Sequence, residues 1–486
     1  MSTLSLSATD LVYQVDVLES IRQGHPVRTT ELTTSPEQRK TDNEYIQTGP
    51  PMLTFLGAAL PKTMYHTYIH PSLIARFDQI QSALGKVTTN IIERWFSDKE
   101  AKFPSRMPLD EHEEDVLRWI ASSGIVPRYA GREGCSRPDF LFSATSASPC
   151  QPIICEINAR FPYNSWFYVE AATEPFERAG LQKSCLKTGH DSVAFGDAVV
   201  NLFDSSHPGH ILLGKQWIGF DIHLLPDIFK QRTGQEMRII SPSDLRLTED
   251  SSSPTGYHLS CAVKDSEELE RVWQISIDMV QAEIREFSPE ILREIARICT
   301  NDLRSIFLLH DKRFMGIILE ELDSLLEAGV VNSMEVQLLK ESIAPTYVPG
   351  SAGWHEAISS PNSKEELVLK DARGGIGRGH TFGHNVTQEV WDERLRAVGD
   401  GKLVDGKAIV LQKKVDQVSF DILNLAGDAF QKLYLIGAWA AVNGQYLGVT
   451  SMRVGNDLGC VPPPDGGMAI LSVTSSSKVM VPNLNE

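Results

Sequence analysis

Two short polar segments, far apart in the chain, contain the residue types that bind a nucleotide and its metal ion. The first extends from Arg137-Pro-Asp139 to Glu156-Ile-Asn158-Ala-Arg160 and supplies carboxylate and amide oxygens beside two arginines. The second extends from Lys370 to Gly379 and places a lysine before four glycines. Mg²⁺ prefers hard oxygen ligands and completes its shell with waters and substrate phosphates. Together the two segments predict a site for a nucleotide and Mg²⁺.

The glycine segment follows Glu366–Lys370, a short and largely apolar run that predicts a strand. Four glycines within six residues let backbone N–H groups approach an anion without interference from side chains. The segment lacks the Gly-Lys-Ser/Thr of a Walker A loop, and His380–Val386 is expected to return as a second strand, so that the glycines cover the phosphates. An ordinary glycine-rich surface loop is the alternative, but the cations Lys370, Arg373 and Arg378 favour an anion site.

The carboxylate segment predicts two strands, Asp139–Phe142 and Pro152–Ile157, joined by a serine-rich turn. Alternation along the second strand places Glu156 and Asn158 on one face. An antiparallel neighbour would bring Asp139 beside them, although the interval of 17 residues from Asp139 to Glu156 (156 − 139) is long for a hairpin. Polar faces on an edge hairpin are the alternative, but a carboxylate next to a buried apolar run needs a partner or an ion.

These motifs resemble those of the circularly permuted ATP-grasp ligases, the group that includes glutathionylspermidine synthetase. The resemblance rests on four motifs, namely Arg137-x-Asp139, Glu156-x-Asn158, His310-Asp-Lys-Arg313 and Val368-Leu-Lys370 with its glycine loop. It covers residues 130–170 and 300–475. In ordinary ATP-grasp enzymes the E-x-N strand follows the glycine lid, whereas here it precedes the lid, as a permutation requires.

The resemblance implies roles for individual residues. The implied Mg²⁺ ligands are Asp139, Glu156 and Asn158. The implied ATP contacts are Arg137, Lys312, Lys370, the lid glycines Gly374, Gly377 and Gly379, and, beside the adenine on a hinge strand, Gln412. The candidate catalytic residues are Arg137, Lys370 and Arg453. Arg453 lies at the end of a late strand, where a cation can hold an acyl phosphate or a substrate carboxylate, and a surface arginine is the alternative.

One residue departs from the family pattern at the start of the lid. Asp371 stands where the family commonly has a proline after the lysine. Because proline fixes the backbone angle φ, its absence predicts a less rigid start to the lid. The aspartate also predicts a carboxylate close to the phosphates.

The elements around these residues predict an α/β frame. Leu303–Leu309 is a continuous apolar run of the kind found in a buried parallel strand. Apolar residues then recur at helical spacing from Phe314, and Gly329 is the expected stop. Lys312 is therefore expected at a strand-to-helix junction, the usual ligand-binding edge of an open sheet.

The predicted fold is a circularly permuted ATP-grasp core with an additional α/β segment and a largely helical N-terminal region. Its parts are a helical region 1–125 with the helix Leu73–Phe96, a metal-binding half 126–205, an inserted substrate-side region 206–299, a nucleotide-binding half 300–475 with the lid, and a flexible tail 476–486. In the inserted region we expect strands at His210–Leu213 and Glu236–Ile240, a helix at Phe220–Arg232 interrupted by Pro226, and helices at Asp265–Phe287 and Pro289–Cys299.

Composition limits the partners. Acidic residues outnumber basic ones by 63 to 46, which argues against nucleic acid as a partner. The sequence lacks a basic segment followed by an apolar stretch at its start, and lacks the ~20 apolar residues of a membrane span. Seven cysteines without a CxxC pair predict neither a zinc site nor a disulfide framework. We therefore expect a cytoplasmic protein without a membrane partner. The sequence does not give the oligomeric state.

The function predicted from these motifs is that of an ATP- and Mg²⁺-dependent ligase. ATP would phosphorylate a small-molecule carboxylate, and an amine would displace phosphate to give an amide or peptide bond with release of ADP and phosphate. The alternatives are a small-molecule kinase that stops at phosphoryl transfer and a non-catalytic nucleotide-binding module. Three metal ligands together argue against the binding module, which has less need of them.

Overall fold

The computed structural model describes residues 6–48, 63–145, 148–160, 166–216, 220–263, 268–375, 379–398, 401, 403, 407–424, 427–455 and 468–475. Within these ranges the chain is a mixed α/β protein that contains several sheets. Gly377, its neighbour Arg378 and the tail 476–486 lie outside the described residues.

The strands are, in chain order, β1 Val12–Asp16, β2 Val27–Arg28, β3 Tyr65–Ile69, β4 Cys135–Ser143, β5 Gln151–Asn158, β6 Leu186–Thr188, β7 Gly209–Leu213, β8 Met237–Ile240, β9 Leu245–Glu249, β10 Tyr257–Ala262, β11 Leu269–Arg271, β12 Ile275–Asp278, β13 Thr346–Tyr347, β14 Leu367–Asp371, β15 Thr381–Phe382, β16 Ile409–Lys413, β17 Ser419–Leu423, β18 Phe430–Val442, β19 Gln445–Gly455, β20 Met468–Ile470 and β21 Ser472–Ser475.

The α-helices are Ala8–Leu11, Val17–Gln23, Pro36–Gln47, Pro71–Arg94, Phe103–Arg106, Glu111–Ser123, Trp166–Arg178, Ser192–Val200, Leu225–Thr233, Gln281–Ile284, Pro289–Ile298, Arg313–Glu327, Ser333–Ser342, Ala352–Ser359, Ser363–Glu366 and Gln388–Val398. None of these described helices combines the length and hydropathy that a membrane span requires.

The largest sheet joins two parts of the chain that are about 300 residues apart in sequence. Its order is β20-β19-β18-β4-β5, and β17 also pairs with β18. The β4–β5 hairpin therefore pairs with the late strands, with Asp139 opposite Ala438. The hairpin is thus a part of a wide antiparallel sheet and is not an isolated ribbon.

The helix Pro71–Arg94 covers one face of this sheet and confirms the prediction of a helix at Leu73–Phe96. Its buried residues recur every three or four positions, as an amphipathic helix requires, and include Phe77, Ile80, Leu84, Val87 and Ile91. The ring of Phe77 lies 4.7 Å from Phe140 and 5.4 Å from Trp439, measured between centroids. This packing fixes the sheet on which the carboxylate hairpin is built.

A second, four-stranded sheet carries the lysine that precedes the glycine segment. Its order is β13-β16-β14-β15. The predicted strand at Glu366–Lys370 is confirmed as β14. The predicted return strand at His380–Val386 is wrong for most of its length, because only Thr381–Phe382 pairs with β14 and a 3₁₀ turn, Gly383–Asn385, follows. A side chain at Gly383 would overlap the carbonyl of Lys364, so the close approach of this turn requires glycine.

Residues 206–299, which were predicted to be an inserted region, contain a parallel sheet, β12-β7-β8, and an antiparallel sheet, β11-β10-β9, in their described part. The strands predicted at His210–Leu213 and Glu236–Ile240 are confirmed, and so is the helix Pro289–Ile298. The helix predicted at Phe220–Arg232 is present as a 3₁₀ turn followed by the helix Leu225–Thr233, which has Pro226 in its first turn.

The long helix predicted at Asp265–Phe287 is wrong. The described part of this stretch forms β11, β12 and only the short helix Gln281–Ile284. All residues of β12 are buried, and the strand pairs in parallel with β7. A fully buried strand lacks the alternation that would have distinguished it from a helix.

The strand predicted at Leu303–Leu309 is also wrong. Ser305–Leu309 is a π-helical turn in which all five residues are buried. Asp302 starts the turn, because its carboxylate accepts a hydrogen bond from the backbone N–H of Arg304 at 2.8 Å. The predicted helix after it is confirmed as Arg313–Glu327, and Gly329 beyond its end has a φ of +70°. Lys312 therefore lies at a helix-to-helix junction.

The described part of the N-terminal region is mostly helical, as predicted, but it also contains three strands that were not predicted. Strands β1, β2 and β3 belong to a five-stranded sheet with the order β2-β1-β3-β21-β6. The last described strand, β21, thus pairs with β3 in parallel. The beginning and the end of the described chain therefore share one sheet.

Candidate nucleotide and metal site

The pairing of β4 with β5 brings the predicted metal ligands together. Arg137 lies opposite Asn158, and Asp139 lies opposite Glu156. Directly after this pair the register shifts by one residue, so that Phe140 pairs with Ile154 and Cys155 is the extra residue of a β-bulge. Because of the bulge, the polar pairs and the apolar pairs that follow them can face different sides of the sheet. The predicted hairpin is confirmed.

Asp139 is held between two arginines. Arg137 Nε donates to its carboxylate at 2.9 Å, and the guanidinium of Arg453 lies 2.5 Å from its other oxygen. Only 6% of the Asp139 side chain is exposed. Arg453 comes from β19, which is separated from β4 by β18, and its side chain reaches across that strand. The structure therefore brings Arg453 to the carboxylate hairpin.

Glu156 faces a buried lysine. The Nζ of Lys312 lies 3.2 Å from the Glu156 carboxylate, and 1% of the lysine side chain is exposed. The same Nζ donates to the carbonyl oxygen of Gly374 at 2.6 Å. Burial favours the neutral form of Glu156, but the cations Lys312 and Lys370 hold the pKa of this carboxyl well below its usual range. Lys312 thus connects the metal strand with the start of the glycine segment.

Lys370 is oriented by Gln412. The two residues lie on the same face of paired strands, since Lys370 is opposite Val410 and Gln412 is two residues further along β16. Lys370 Nζ donates to the side-chain oxygen of Gln412 at 2.6 Å. The Gln412 amide donates in turn to Thr346 Oγ1 at 2.9 Å and to the Cys155 carbonyl at 3.4 Å. Gln412 therefore links the lysine strand with the bulge of the hairpin.

Asp371 fixes the start of the glycine segment. Its carboxylate accepts hydrogen bonds from the backbone N–H groups of Arg373 and Gly374, each at 3.0 Å. These two hydrogen bonds constrain the chain where the family has a proline, and the looser start expected from its absence stays a prediction. At the far end of the segment, Gly379 has a φ of +79°, which favours glycine.

Arg373 is a structural residue, contrary to the prediction that it adds positive charge for the phosphates. Its guanidinium donates to Asp311 at 2.9 Å and to Glu113 at 2.9 Å, and all three side chains are buried. Asp311 also pairs with Arg313 at 2.8 Å. Burial opposes the charge of Asp311, yet Arg313 and Arg373 hold the pKa of its carboxyl well below its usual range. The network anchors the glycine segment to the helix Glu111–Ser123.

Two buried donors at this site have no acceptor in the described part of the chain. They are the side-chain amide nitrogen of Asn158 and Nε2 of His310. A buried polar group without a partner calls for an explanation, such as an absent ion or ligand. In the sequence, His310 was noted only as a part of a family motif. Nothing in its spacing indicated that it would contact the end of β5.

The donor set fits Mg²⁺. Asp139, Glu156 and Asn158 supply two carboxylates and an amide oxygen on adjacent strands, and oxygen ligands of this kind suit this ion. Each carboxylate has a cationic partner within 3.2 Å. An arriving metal ion would therefore replace positive charge that the protein already supplies to these carboxylates.

A separate cluster in the inserted region does not fit a metal as well. His210, Cys261 and Glu270 place one ligand atom each within 4.8 Å of one another. However, Arg238 pairs with the Glu270 carboxylate and also lies 3.2 Å from Cys261 Sγ. Glu270 also accepts from the other two candidate ligands, His210 Nε2 at 2.6 Å and Cys261 Sγ at 3.6 Å, so the three groups satisfy one another and we interpret the cluster as a structural polar network.

Comparisons with known proteins bear on the family and the fold of the chain. The family described as the AnkG N-terminal domain matches residues 80–308. The ATP-grasp enzyme ankG of Aspergillus thermomutatus is 30% identical over 483 residues, which cover 92% of this chain and 97% of that protein. The apo structure of a glutathione synthetase-like effector, GSS30 of Globodera pallida, has a TM-score of 0.51 at 12% identity and matches 91% of this chain and 100% of its own. This last likeness is one of fold.

Proposed function

The chain belongs to the ATP-grasp enzymes, and we propose that it is an ATP-dependent ligase that joins a small-molecule carboxylate to an amine through an acyl phosphate. In this proposal Mg²⁺ is held by Asp139, Glu156 and Asn158, and ADP and phosphate are released. We also propose that the core is circularly permuted, with the metal strands ahead of the glycine lid.

One observation carries the proposal. A carboxylate hairpin and a lysine strand, which belong to two different sheets, meet at a single place. Lys312 lies against both Glu156 and the Gly374 carbonyl, and the Gln412 amide contacts both Lys370 and the Cys155 carbonyl. Opposite charges brought together in this way suit a metal–nucleotide complex, in which anionic phosphates and a cation must be held side by side.

The lysines would bind the phosphate chain. Lys370 is held in one orientation by Gln412, so its charge is in position before ATP arrives, and preorganised charge is the main source of stabilisation during phosphoryl transfer. Lys312 would leave Glu156 for a phosphate oxygen and keep its contact with Gly374. The glycine segment, including Gly377 and Gly379, would cover the phosphates with its N–H groups. Gln412 remains the candidate residue beside the adenine.

The metal would supply charge neutralisation along the phosphate chain. Arg137 and Arg453, which now share Asp139, would then be available to the carboxylate that is phosphorylated. A guanidinium binds a carboxylate or an acyl phosphate through two parallel hydrogen bonds. The arginines would therefore hold the acyl phosphate in place while the amine attacks it.

No nucleophilic side chain is required for this reaction. Cys155 lies next to Glu156, but it is the bulged residue of β5, and its thiol contacts the backbone oxygen of Asp139 at 3.5 Å. Alignment of the two substrates and neutralisation of charge on the migrating phosphoryl group supply the catalysis. The inserted region 206–299 is proposed to bind the substrates, and the domain boundaries given above stay predictions.

Product analysis tests the proposed function. The protein would be incubated with ATP, Mg²⁺ and pooled amino acids, polyamines and carboxylates, and new masses and nucleotide products would be identified. We expect an amide product with equal amounts of ADP and phosphate. Stoichiometric AMP and pyrophosphate would reject the acyl-phosphate route, and a stable phosphorylated product formed without amine would identify a kinase. Lys370→Ala is the inactive control and Lys413→Ala, on the neighbouring strand, the active one.

A further inference from the structure

His310 is buried directly beside the end of the metal strand. It follows the π-helical turn Ser305–Leu309, and 3% of its surface is exposed. Its Nδ1 accepts a hydrogen bond from the backbone N–H of Ala159 at 3.3 Å, and Ala159 comes directly after Asn158. Because Nδ1 accepts, the proton of the neutral imidazole lies on Nε2. The ring therefore has a fixed tautomer, with one donor still to be satisfied.

The second ring nitrogen, Nε2, indicates that a binding partner of His310 is absent. Nε2 of His310 is buried and has no hydrogen-bond partner among the residues that the structure describes. A buried donor without an acceptor is costly, and such groups are rare in folded proteins. Its absent partner must be an acceptor.

The charges around the ring select the kind of acceptor. Burial, together with the cations Arg160 and Lys312, outweighs the carboxylates Glu156 and Asp311 and holds the pKa of His310 well below its usual range, so the ring stays neutral. Asp311 is already paired with Arg313 and Arg373, and Glu156 would bind the metal in the proposed complex, so Arg160 and Lys312 favour an anion over an amine. An anionic oxygen therefore fits this position, and both a phosphate of ATP and the carboxylate of the acid substrate offer one.

We propose that His310 binds ATP by donating its Nε2–H to an oxygen of the terminal phosphoryl group. The proposal rests on the proposed function, since it uses the same site. The phosphate is favoured over the carboxylate because Lys312, which lies beside His310 in sequence and space, also contacts the Gly374 carbonyl at the start of the glycine segment. His310 would thus bind the phosphoryl group that is transferred, whereas Lys370 would bind the phosphate chain.

Two substitutions separate the two ring nitrogens. In His310→Asn, the side-chain oxygen can take the place of Nδ1 and accept from Ala159, but the Nε2 donor is lost. In His310→Gln, the amide nitrogen can take the place of Nε2 and restore the donor. His355→Asn, at an exposed position, is a control for the substitution itself, and thermal melts without ligand would show that each variant is folded.

The experiment is calorimetric binding of Mg²⁺ with a non-hydrolysable ATP analogue, compared with Mg²⁺ and ADP. We expect His310→Asn to weaken binding of the analogue by about tenfold, the value of one hydrogen bond to a charged group, and to leave ADP binding within about twofold, because ADP lacks the terminal phosphoryl group. His310→Gln should recover most of the affinity.

Other outcomes would overturn the proposal. Equal loss for the analogue and for ADP would mean that His310 only supports the fold of the site. Unchanged analogue binding with a raised KM for the acid substrate would assign the donor to the carboxylate. A parent protein that binds neither nucleotide would reject the proposed function as well, whereas a parent that binds both and an unaffected His310→Asn would reject only the role of His310.

Discussion

The carboxylate hairpin β4–β5 and the lysine strand β14 use opposite means to hold their charged residues. In the hairpin, Asp139 and Glu156 are neutralised by cations, at 2.9 Å from Arg137 and 3.2 Å from Lys312. In the lysine strand, Lys370 donates to the neutral amide of Gln412. In the proposed site the hairpin would exchange protein cations for a metal ion, whereas Lys370 is oriented by a hydrogen bond to a neutral side chain.

This difference suggests that the hairpin and the lysine strand have separate roles. In the proposed site, metal dependence should belong to the hairpin, whose carboxylates are the proposed ligands, and phosphate binding should belong to the lysine strand. The two parts are joined by Lys312 and by Gln412, which contact both. Variants in each part should consequently fail in different ways.

The largest expected effect is that of Glu156→Gln. Glutamine keeps the shape of the side chain but removes the charge that a metal ion requires, so turnover should fall by about 10³-fold or more, with the fold intact. Steady-state kinetics over a range of Mg²⁺ concentrations would measure it. Glu366→Gln is the matched control, since 51% of that side chain is exposed. Parent-like turnover of Glu156→Gln at limiting Mg²⁺ would remove Glu156 from the metal site.

Loss of the lysine comes next. Lys370→Ala should lower turnover by about 10²–10³-fold, the range for one preorganised charge stabiliser, and should reduce the stabilisation by ATP against heat. Lys413→Ala, which removes an exposed lysine from the adjacent strand, should behave like the parent.

Gly377→Val should also lower turnover, because a β-branched residue resists the conformations of a closing glycine loop. If Lys370→Ala and Gly377→Val both turned over normally, the segment would be an ordinary loop.

A third variant tests the anchor behind the lysine strand. Arg373→Met leaves Glu113 buried without its arginine and Asp311 with only Arg313. Removing one partner of a buried ion pair typically costs about 3–5 kcal/mol, and we expect the free energy of unfolding in urea to fall by about 3 kcal/mol. Arg396→Met, at an exposed helical position, is the control. A loss as small as that of the control would show that the network does not hold the segment.

The smallest effect concerns pH. His380 follows the glycine segment, and burial, with Lys370 and Lys312 nearby, lowers its pKa to about 3. Between this value and the ordinary pKa near 6.5, the unfolded chain binds a proton that the folded protein does not, so stability falls as pH decreases. After allowance for partial exposure, the loss at pH 5.5 should be about 1 kcal/mol.

Urea unfolding at pH 7.5 and pH 5.5 would measure this difference. His380→Gln should reduce the pH dependence, and His355→Gln should not. The carboxylate of Glu156 should contribute nothing in this range, because its pKa is depressed and its charge is lost only in stronger acid. An unchanged pH dependence in His380→Gln would show that this ring is accessible to protons in the folded state.

The sequence was most informative where local pattern decides structure. The strands of the hairpin follow from alternation and from a turn between them, so Asp139, Glu156 and Asn158 could be placed together in advance. The glycines after Lys370 could be recognised for a similar reason. In each case the residues that matter are neighbours in sequence or in one strand pair.

The remaining features depend on contacts between distant parts of the chain. Arg453 reaches Asp139 because their strands lie in one sheet with only β18 between them. Arg373 contacts Glu113, which is 260 residues away in sequence. The Leu303–Leu309 run was misread because an apolar stretch of that length fits a buried helix as well as a strand. No local signal distinguishes these cases.

The most direct test of the division between hairpin and lysine strand is calorimetric binding of a non-hydrolysable ATP analogue with and without Mg²⁺. In the parent, Mg²⁺ should strengthen binding. In Glu156→Gln this gain should disappear while metal-free binding is kept, and in Lys370→Ala both affinities should weaken by a similar factor. A Glu156→Gln variant that gains as much from Mg²⁺ as the parent does would contradict the assignment of the metal to the hairpin.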